Sequence, residues 1–282
     1  MTTTQDKGII LIAVGHPYYS HMASNLAVSL RYHNPELPVA IAHDGQGFSL
    51  LEEWQKALFT EIEIPKKLLN GDPYSLKLHL DELTPFKKTL FLDVDMVWNN
   101  DRSVSQLMDE LDGIPFTMVC RSVLGKDSQS ISRWVDMKEM AEAFKSDEFY
   151  DISSELIYFE GSPTIFEEAR KAYKKPKVKV APFGQGLADE AFFMMALAKT
   201  GVKPHSVPFE PTYWEPRYFP RQHNRAFISQ FYAISVGGAF NTPHIKKIYD
   251  SLMLHYFNSL GIAAKPYQLQ PKSRIIKERR KI

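Results

Sequence analysis

The chain has 282 residues, enough for one large domain with a full hydrophobic core, and no linker in it demands a second. A hydrophobic share of 44% and a charged share of 24% exclude a disordered or fibrous class, and a formal net charge of +1 gives no global reason to bind a polyanion. Cys120 is the only cysteine, which excludes an intrachain disulfide and suits a reducing compartment. The apolar run Ile9 to Val14 is too short for a signal peptide or a membrane span, so a cytoplasmic chain without a transmembrane segment is expected.

In chain order, Ile9 to Val14 is an unbroken apolar, β-branched run, the pattern of a strand buried on both faces in a parallel sheet. Gly15-His16-Pro17-Tyr18-Tyr19 turns the chain, and Ala23, Leu26, Ala27 and Leu30 then recur at helical spacing. Asn34-Pro35 ends that helix, because a residue before proline avoids helical backbone angles. Val39 to Ala42 predicts the next strand and His43-Asp44-Gly45 its turn. Ser49-x-x-Glu52 predicts a capping box opening a helix, and Glu61 to Ile64 a short strand stopped by Pro65. This βαβαβ opening predicts an α/β fold with a central, mostly parallel, twisted sheet flanked by helices.

Leu76 to Leu83 predicts a helix stopped by Thr84-Pro85, and Thr89 to Asp95 a strand whose last residues turn acidic. Phe116 to Cys120 and Leu156 to Phe159 are further strands, with the polar segment Arg121 to Asp151 expected as a mobile excursion. Thr164 to Tyr173 and Ala191 to Ala198 predict helices, with Gly201 as the C-terminal cap of the second. Phe231 to Gly238 is a strand, and Thr242-Pro243 opens a helix through Leu260. No internal repeat is present. The domain is expected over residues 1–264. The remaining 265–282 form a basic tail (Lys272, Arg274, Lys277, Arg279, Arg280, Lys281) suited to peripheral contact with a membrane surface, a nucleic acid or an acidic partner.

Asp93-Val94-Asp95 carries the main chemical signal. Residues i and i+2 of a strand project to the same side, and ligands of open α/β sheets bind outside the carboxyl ends of the strands. Two carboxylates there repel one another unless a divalent cation joins them. Hard oxygen ligands suit Mg²⁺ or Mn²⁺, usually shared with substrate phosphates.

These residues resemble a family. Tyr74-x-x-Lys77 followed by Leu83-Thr84-Pro85-Phe86-Lys87-Lys88-Thr89-Leu90-Phe91-Leu92-Asp93-Val94-Asp95 is similar to the signature of GT-A-fold glycosyltransferases related to glycogenin and to the bacterial lipopolysaccharide galactosyl- and glucosyltransferases. Ala13-Val14-Gly15-His16-Pro17-Tyr18-Tyr19 is similar to that family's nucleotide-binding first loop. Tyr158-Phe159 after Ser153-Ser154 resembles the strand after its Asn-Ser-Gly segment, and Asp189-Glu190 its late acidic motif.

The resemblance implies a retaining, metal-dependent transfer of a sugar from a nucleoside diphosphate sugar, UDP-linked in the family's manner, to a hydroxyl of a glycan, a protein or a modified nucleic acid. It implies that Asp93 and Asp95 hold Mn²⁺ or Mg²⁺, with Asp93 and Val94 also beside the nucleotide, and that Ala13 and Gly15 approach it from the first loop. Tyr18 or Tyr19 would stack on the base. Lys77 would neutralise phosphate or fix an aspartate, and Asp44 would contact the nucleoside or cap its own turn. Gln185, Asp189 and Glu190 would serve the transferred sugar, Asp189 through its hydroxyls or by steadying a cationic transition state. The family's late metal-binding histidine has no direct match. His244 is the preferred third ligand, with His255 or no histidine as the alternatives, and Lys246 and Lys247 would instead reach the diphosphate.

Two rivals remain open in the sequence. One is a sugar nucleotidyltransferase, which usually carries a glycine-rich basic first loop that Gly15 to Tyr19 lacks. The other is a non-catalytic glycan- or nucleic-acid-binding protein, for which Arg217, Arg221 and Arg225 among Tyr213, Trp214, Tyr218 and Phe219 would supply stacking and charge.

Overall fold

The structure, a computed structural model, describes residues 5–69, 72–99, 103–125, 134–183, 186–205, 212–214, 230–237 and 243–270, with only the backbone described at 5, 212–214 and 243–244. Six strands form one sheet: β1 (Gln5–Ala13), β2 (Val39–His43), β3 (Thr60–Glu63), β4 (Phe86–Leu92), β6 (Phe116–Gly125) and β7 (Glu148–Glu160). Their order across it is β3-β2-β1-β4-β7-β6. Among the described residues, β5 (Met96–Trp98), β10 (Thr212–Trp214) and β11 (Ala233–Ser235) form a second sheet, and β8 (Pro182–Phe183) and β9 (Gly186–Leu187) a short hairpin. The chain divides into two compact units, residues 1–7, 64–91 and 113–208 in one and 8–63, 92–112 and 209–282 in the other.

In the second of these units β1, β2 and β3 are parallel, with Leu11 opposite Ile41 and Ala42 opposite Ile62. Ile9, Ile10, Leu11, Ala40 and Ile41 are fully buried, as an unbroken apolar run requires. Each such aliphatic side chain contributes about 1.5–3 kcal/mol on leaving water. Helix α1 (Pro17–His33) follows the first loop, with proline in its first turn and His16 as N-cap, whose Nδ1 accepts from Tyr18 N at 3.1 Å. Asn34 ends it as expected. Helix α9 (Pro243–Ser259) packs on α1. Asn25 of α1 is buried and clamps three groups. Its Nδ2 donates to Tyr249 Oη at 2.7 Å and to Tyr267 O at 2.8 Å, and its Oδ1 accepts from Tyr267 N at 3.1 Å.

The other unit is dominated by the antiparallel pair β6 and β7. Helices α7 (Thr164–Lys174) and α8 (Asp189–Thr200) pack against each other, and α8 also packs on β7. Gly201 closes α8 in the left-handed region, φ 70°, as its position predicts.

Four expectations are corrected. The capping box belongs to Glu52 and Gln55 around α2 (Glu53–Lys56), because Ser49 lies inside a 3₁₀ turn, Phe48–Leu50. Leu76 to Leu83 is not one α-helix: a 3₁₀ helix, Pro73–His79, precedes α4 (Leu80–Leu83). The acidic strand end stops at Leu92, and Asp93 to Asp95 form a turn into β5, so the two carboxylates no longer obey strand alternation. The polar segment 121–151 is described at 121–125 and 134–151, and there it is strand and helix as well as loop. β6 and β7 run on through it, and α6 (Met137–Phe144), capped by Asp136, lies between them.

Candidate active site

The turn Asp93-Val94-Asp95 leaves Asp93 and Asp95 partly exposed while Val94 is buried. Val94 therefore anchors the turn and the flanking carboxylates remain reachable. The turn is fixed from β11: Val236 N donates to Asp95 O at 2.8 Å, and Ser235 pairs with Met96. Gly237 lies against the Asp95 side chain so closely that a β-carbon on it would overlap Oδ2. A bare backbone there gives the carboxylate its place.

The first loop is tied to the second strand's turn. Gly15, in the left-handed region at φ 77°, donates its N–H to Asp44 Oδ2 at 2.7 Å, and Gln46 N donates to Asp44 Oδ1 at 3.1 Å. Asp44 thus ties the first loop to its own turn. Ala13 is buried at the end of β1, opposite His43. His43 is also buried. It stacks on Phe48 at 4.2 Å and 3°, and its Nε2 stands 3.2 Å from Glu61.

Of the two tyrosines, Tyr18 is 1% exposed, with the rings of Tyr19 and Tyr267 edge-on at 5.6 and 5.8 Å. Burial, and then the charge of Asp95, push its phenol well above the usual range. Tyr18 is a core residue, whereas Tyr19 is partly exposed. On α9, Lys246 is tied to Asp250 at 2.5 Å, whereas Lys247 is exposed. His244 occupies the second position of α9, and its side chain lies outside the described residues. His255 contacts Tyr32 Oη at 3.2 Å. Among the described residues, no three His, Cys, Asp or Glu side chains gather as a metal site. The Asp93–Asp95 pair fits a cation that takes one or two carboxylates and completes its shell with phosphate and water, the habit of Mg²⁺ and Mn²⁺.

In the other unit, Lys77, Ser154, Asp189 and Glu190 form one network. Lys77 Nζ donates to Ser154 Oγ at 3.1 Å and to Ser154 O at 3.3 Å, lies 3.8 Å from Asp189 Oδ2, and sits over the Phe91 ring. Lys77 thus stands within ion-pair distance of an aspartate, Asp189. Asp189 is 6% exposed, and its Oδ2 has no hydrogen-bond partner among the described residues. Glu190 Oε2 accepts from Trp134 Nε1 at 2.6 Å, and Oε1 from Ser154 N at 3.4 Å. Burial and then the neighbouring Asp189 push the Glu190 carboxyl up to about 7, against the opposing pull of Trp134, Arg121 and Lys77. Gln185 lies outside the described residues, as do Arg217, Arg221, Arg225 and the basic run from Lys272.

Sequence reasoning missed Gly237, Trp134 and Asp72. Asp72 caps the 3₁₀ helix through Tyr74 N at 2.9 Å and also accepts from Leu187 N at 2.5 Å. Its Asp-Pro start was a readable turn signal, but its second partner lies more than a hundred residues away. Among the described residues, no helix is long and apolar enough to cross a membrane.

No protein-family model and no curated protein matches the chain. Solved structures do. An active-site mutant of LgtC, a galactosyltransferase also solved with donor and acceptor sugar analogues, aligns over 89% of this chain and 95% of its own, at 12% identity and a TM-score of 0.57. The bifunctional glycosyltransferase WbbM aligns over 98% of this chain at 14% identity and a TM-score of 0.61, and this chain spans 52% of its length. The glycosyltransferase GlyE of Streptococcus pneumoniae aligns over 96% of this chain and 66% of its own, at 13% identity and a TM-score of 0.51. Likeness at these identities is likeness of fold, and the fold is the one its motifs implied: the chain has the GT-A fold.

Proposed function

We propose that the protein is a metal-dependent glycosyltransferase that moves a sugar from a nucleoside diphosphate sugar, UDP-linked, to an acceptor hydroxyl with retention of configuration. One observation carries this reading: on a GT-A fold, two partly exposed carboxylates occupy the turn after a buried strand, and a glycine makes room for one of them. Asp93 and Asp95 would hold Mn²⁺ or Mg²⁺, which when bound neutralises diphosphate charge and stabilises the departing nucleoside diphosphate. Tyr19 stacks on the base, Ala13 and Gly15 border it with backbone, and Lys247 offsets diphosphate charge. Asp189 receives a sugar hydroxyl at Oδ2, which makes no hydrogen bond among the described residues and stands 3.8 Å from Lys77 Nζ. Glu190 faces the reacting sugar with its carboxyl oriented by Trp134.

The test is release of UDP from UDP-glucose and UDP-galactose with and without Mn²⁺. Metal-stimulated release that Asp95→Asn lowers by about a hundredfold supports the reading. Release at wild-type level by Asp95→Asn, with metal dependence intact, refutes the assignment.

A further inference from the structure

Three partly exposed aromatic rings gather in the unit that holds Glu190. Phe183 of β8 lies between Tyr74 and Trp134, with ring centroids 4.9 Å from each. Each ring is fixed independently. Trp134 O accepts from Ala181 N at 2.7 Å, its indole N–H is held by Glu190, and its neighbour Val135 bridges to Val180. Tyr74 is held at the start of its 3₁₀ helix by Asp72. The same aspartate grips Leu187 N, and Gly186, the hairpin partner of Phe183, packs on it so tightly that a β-carbon would overlap the carboxylate. The rings are therefore preorganised without being buried. Beside them stands the carboxyl of Glu190, which the indole holds.

A pyranose ring has one face of C–H groups that stacks on aromatic rings and a rim of hydroxyls that needs acceptors. This cluster offers both. A donor sugar already has its diphosphate to bind by; a neutral acceptor has only such contacts. We propose that Tyr74, Phe183 and Trp134 form a stacking subsite for a pyranoside acceptor, with a hydroxyl of that sugar directed to the Glu190 carboxyl. The acceptor class is thereby a glycan rather than a protein or a nucleic acid. The proposal rests on the glycosyltransferase reading for its meaning, but its test does not.

The experiment is saturation-transfer NMR with methyl β-D-galactopyranoside, methyl β-D-glucopyranoside and lactose, on wild type, Phe183→Leu, Trp134→Leu and Tyr74→Phe. Phe183→Leu keeps apolar bulk and removes the ring; Tyr74→Phe keeps the ring. Saturation is expected on the C–H protons of one sugar face, with affinity falling about tenfold in both leucine variants, equivalent to about 1.4 kcal/mol, and retained in Tyr74→Phe. Melting temperatures show that each variant is folded. Absence of transfer to every glycoside in wild type, or undiminished transfer with both leucine variants, overturns the proposal. So does a KM for UDP-sugar that rises in the variants while glycoside binding stays constant, because the rings would then serve the donor. UDP release by wild type is scored separately, so failure of the enzymatic reading and failure of the subsite give different signals.

Discussion

Asp95 and Gly237 make the sharpest residue-scale test of the metal site. Gly237→Ala adds one carbon, and that carbon overlaps the Asp95 carboxylate, which must turn away or push β11 aside. Mn²⁺-stimulated UDP release should fall by about tenfold or more while the protein stays folded. Unchanged metal activation in Gly237→Ala would mean the carboxylate's position is immaterial. Glu190 supplies a second test, through pH. Its folded pKa is raised from the usual 4.5 to about 7, so between those values the native state binds more protons than the unfolded one. Stability present at low pH is then lost as pH rises through that window, by up to roughly 3 kcal/mol from this group. Glu190→Gln should exceed wild type in stability at pH 8 and converge with it at pH 4, as urea titrations at the two pH values can measure. A difference of equal size at both would contradict the burial of an ionising carboxyl.

Among the elements, the opening β1, α1 and β2 were the most legible. The apolar runs of β1 and β2 and the proline stops after α1 and β3 act locally, so sequence pattern reports them faithfully. β6 and β7 were harder to read. Register shifts after Met118 and after Cys120 break the alternation that marks a strand, and Arg121 and Ser122 then look like loop. The acidic pair was found from the strand before it, but the clamp that positions it, Gly237, comes from a segment 142 residues later and has no local signature. The same holds for Asn25, which joins α1, α9 and residue 267. Asn25→Leu leaves a buried tyrosine hydroxyl and two backbone groups of Tyr267 without their partner, and should cost roughly 3 kcal/mol. A loss below about 0.5 kcal/mol in urea unfolding would show that water replaces the clamp.

For the whole molecule, element order persists where sequence similarity does not. Solved glycosyltransferases align over most of this chain at 12 to 14% identity, because a sheet and its helices need only apolar pattern and turn chemistry, which many sequences satisfy. Site chemistry needs particular side chains. That is why the acidic turn, the first loop and the Asp189-Glu190 start of α8 could be seen in the sequence, while the acceptor could not. The claim on which the functional reading depends is that Asp93 and Asp95 bind a divalent cation together with a nucleoside diphosphate. Isothermal titration of UDP into the protein with Mn²⁺ and with EDTA, using wild type and an Asp93→Asn, Asp95→Asn double variant, tests it directly. Binding by wild type only when Mn²⁺ is present, and lost in the double variant, is the predicted result; equal UDP affinity with and without metal, or unaltered binding by the double variant, would contradict it.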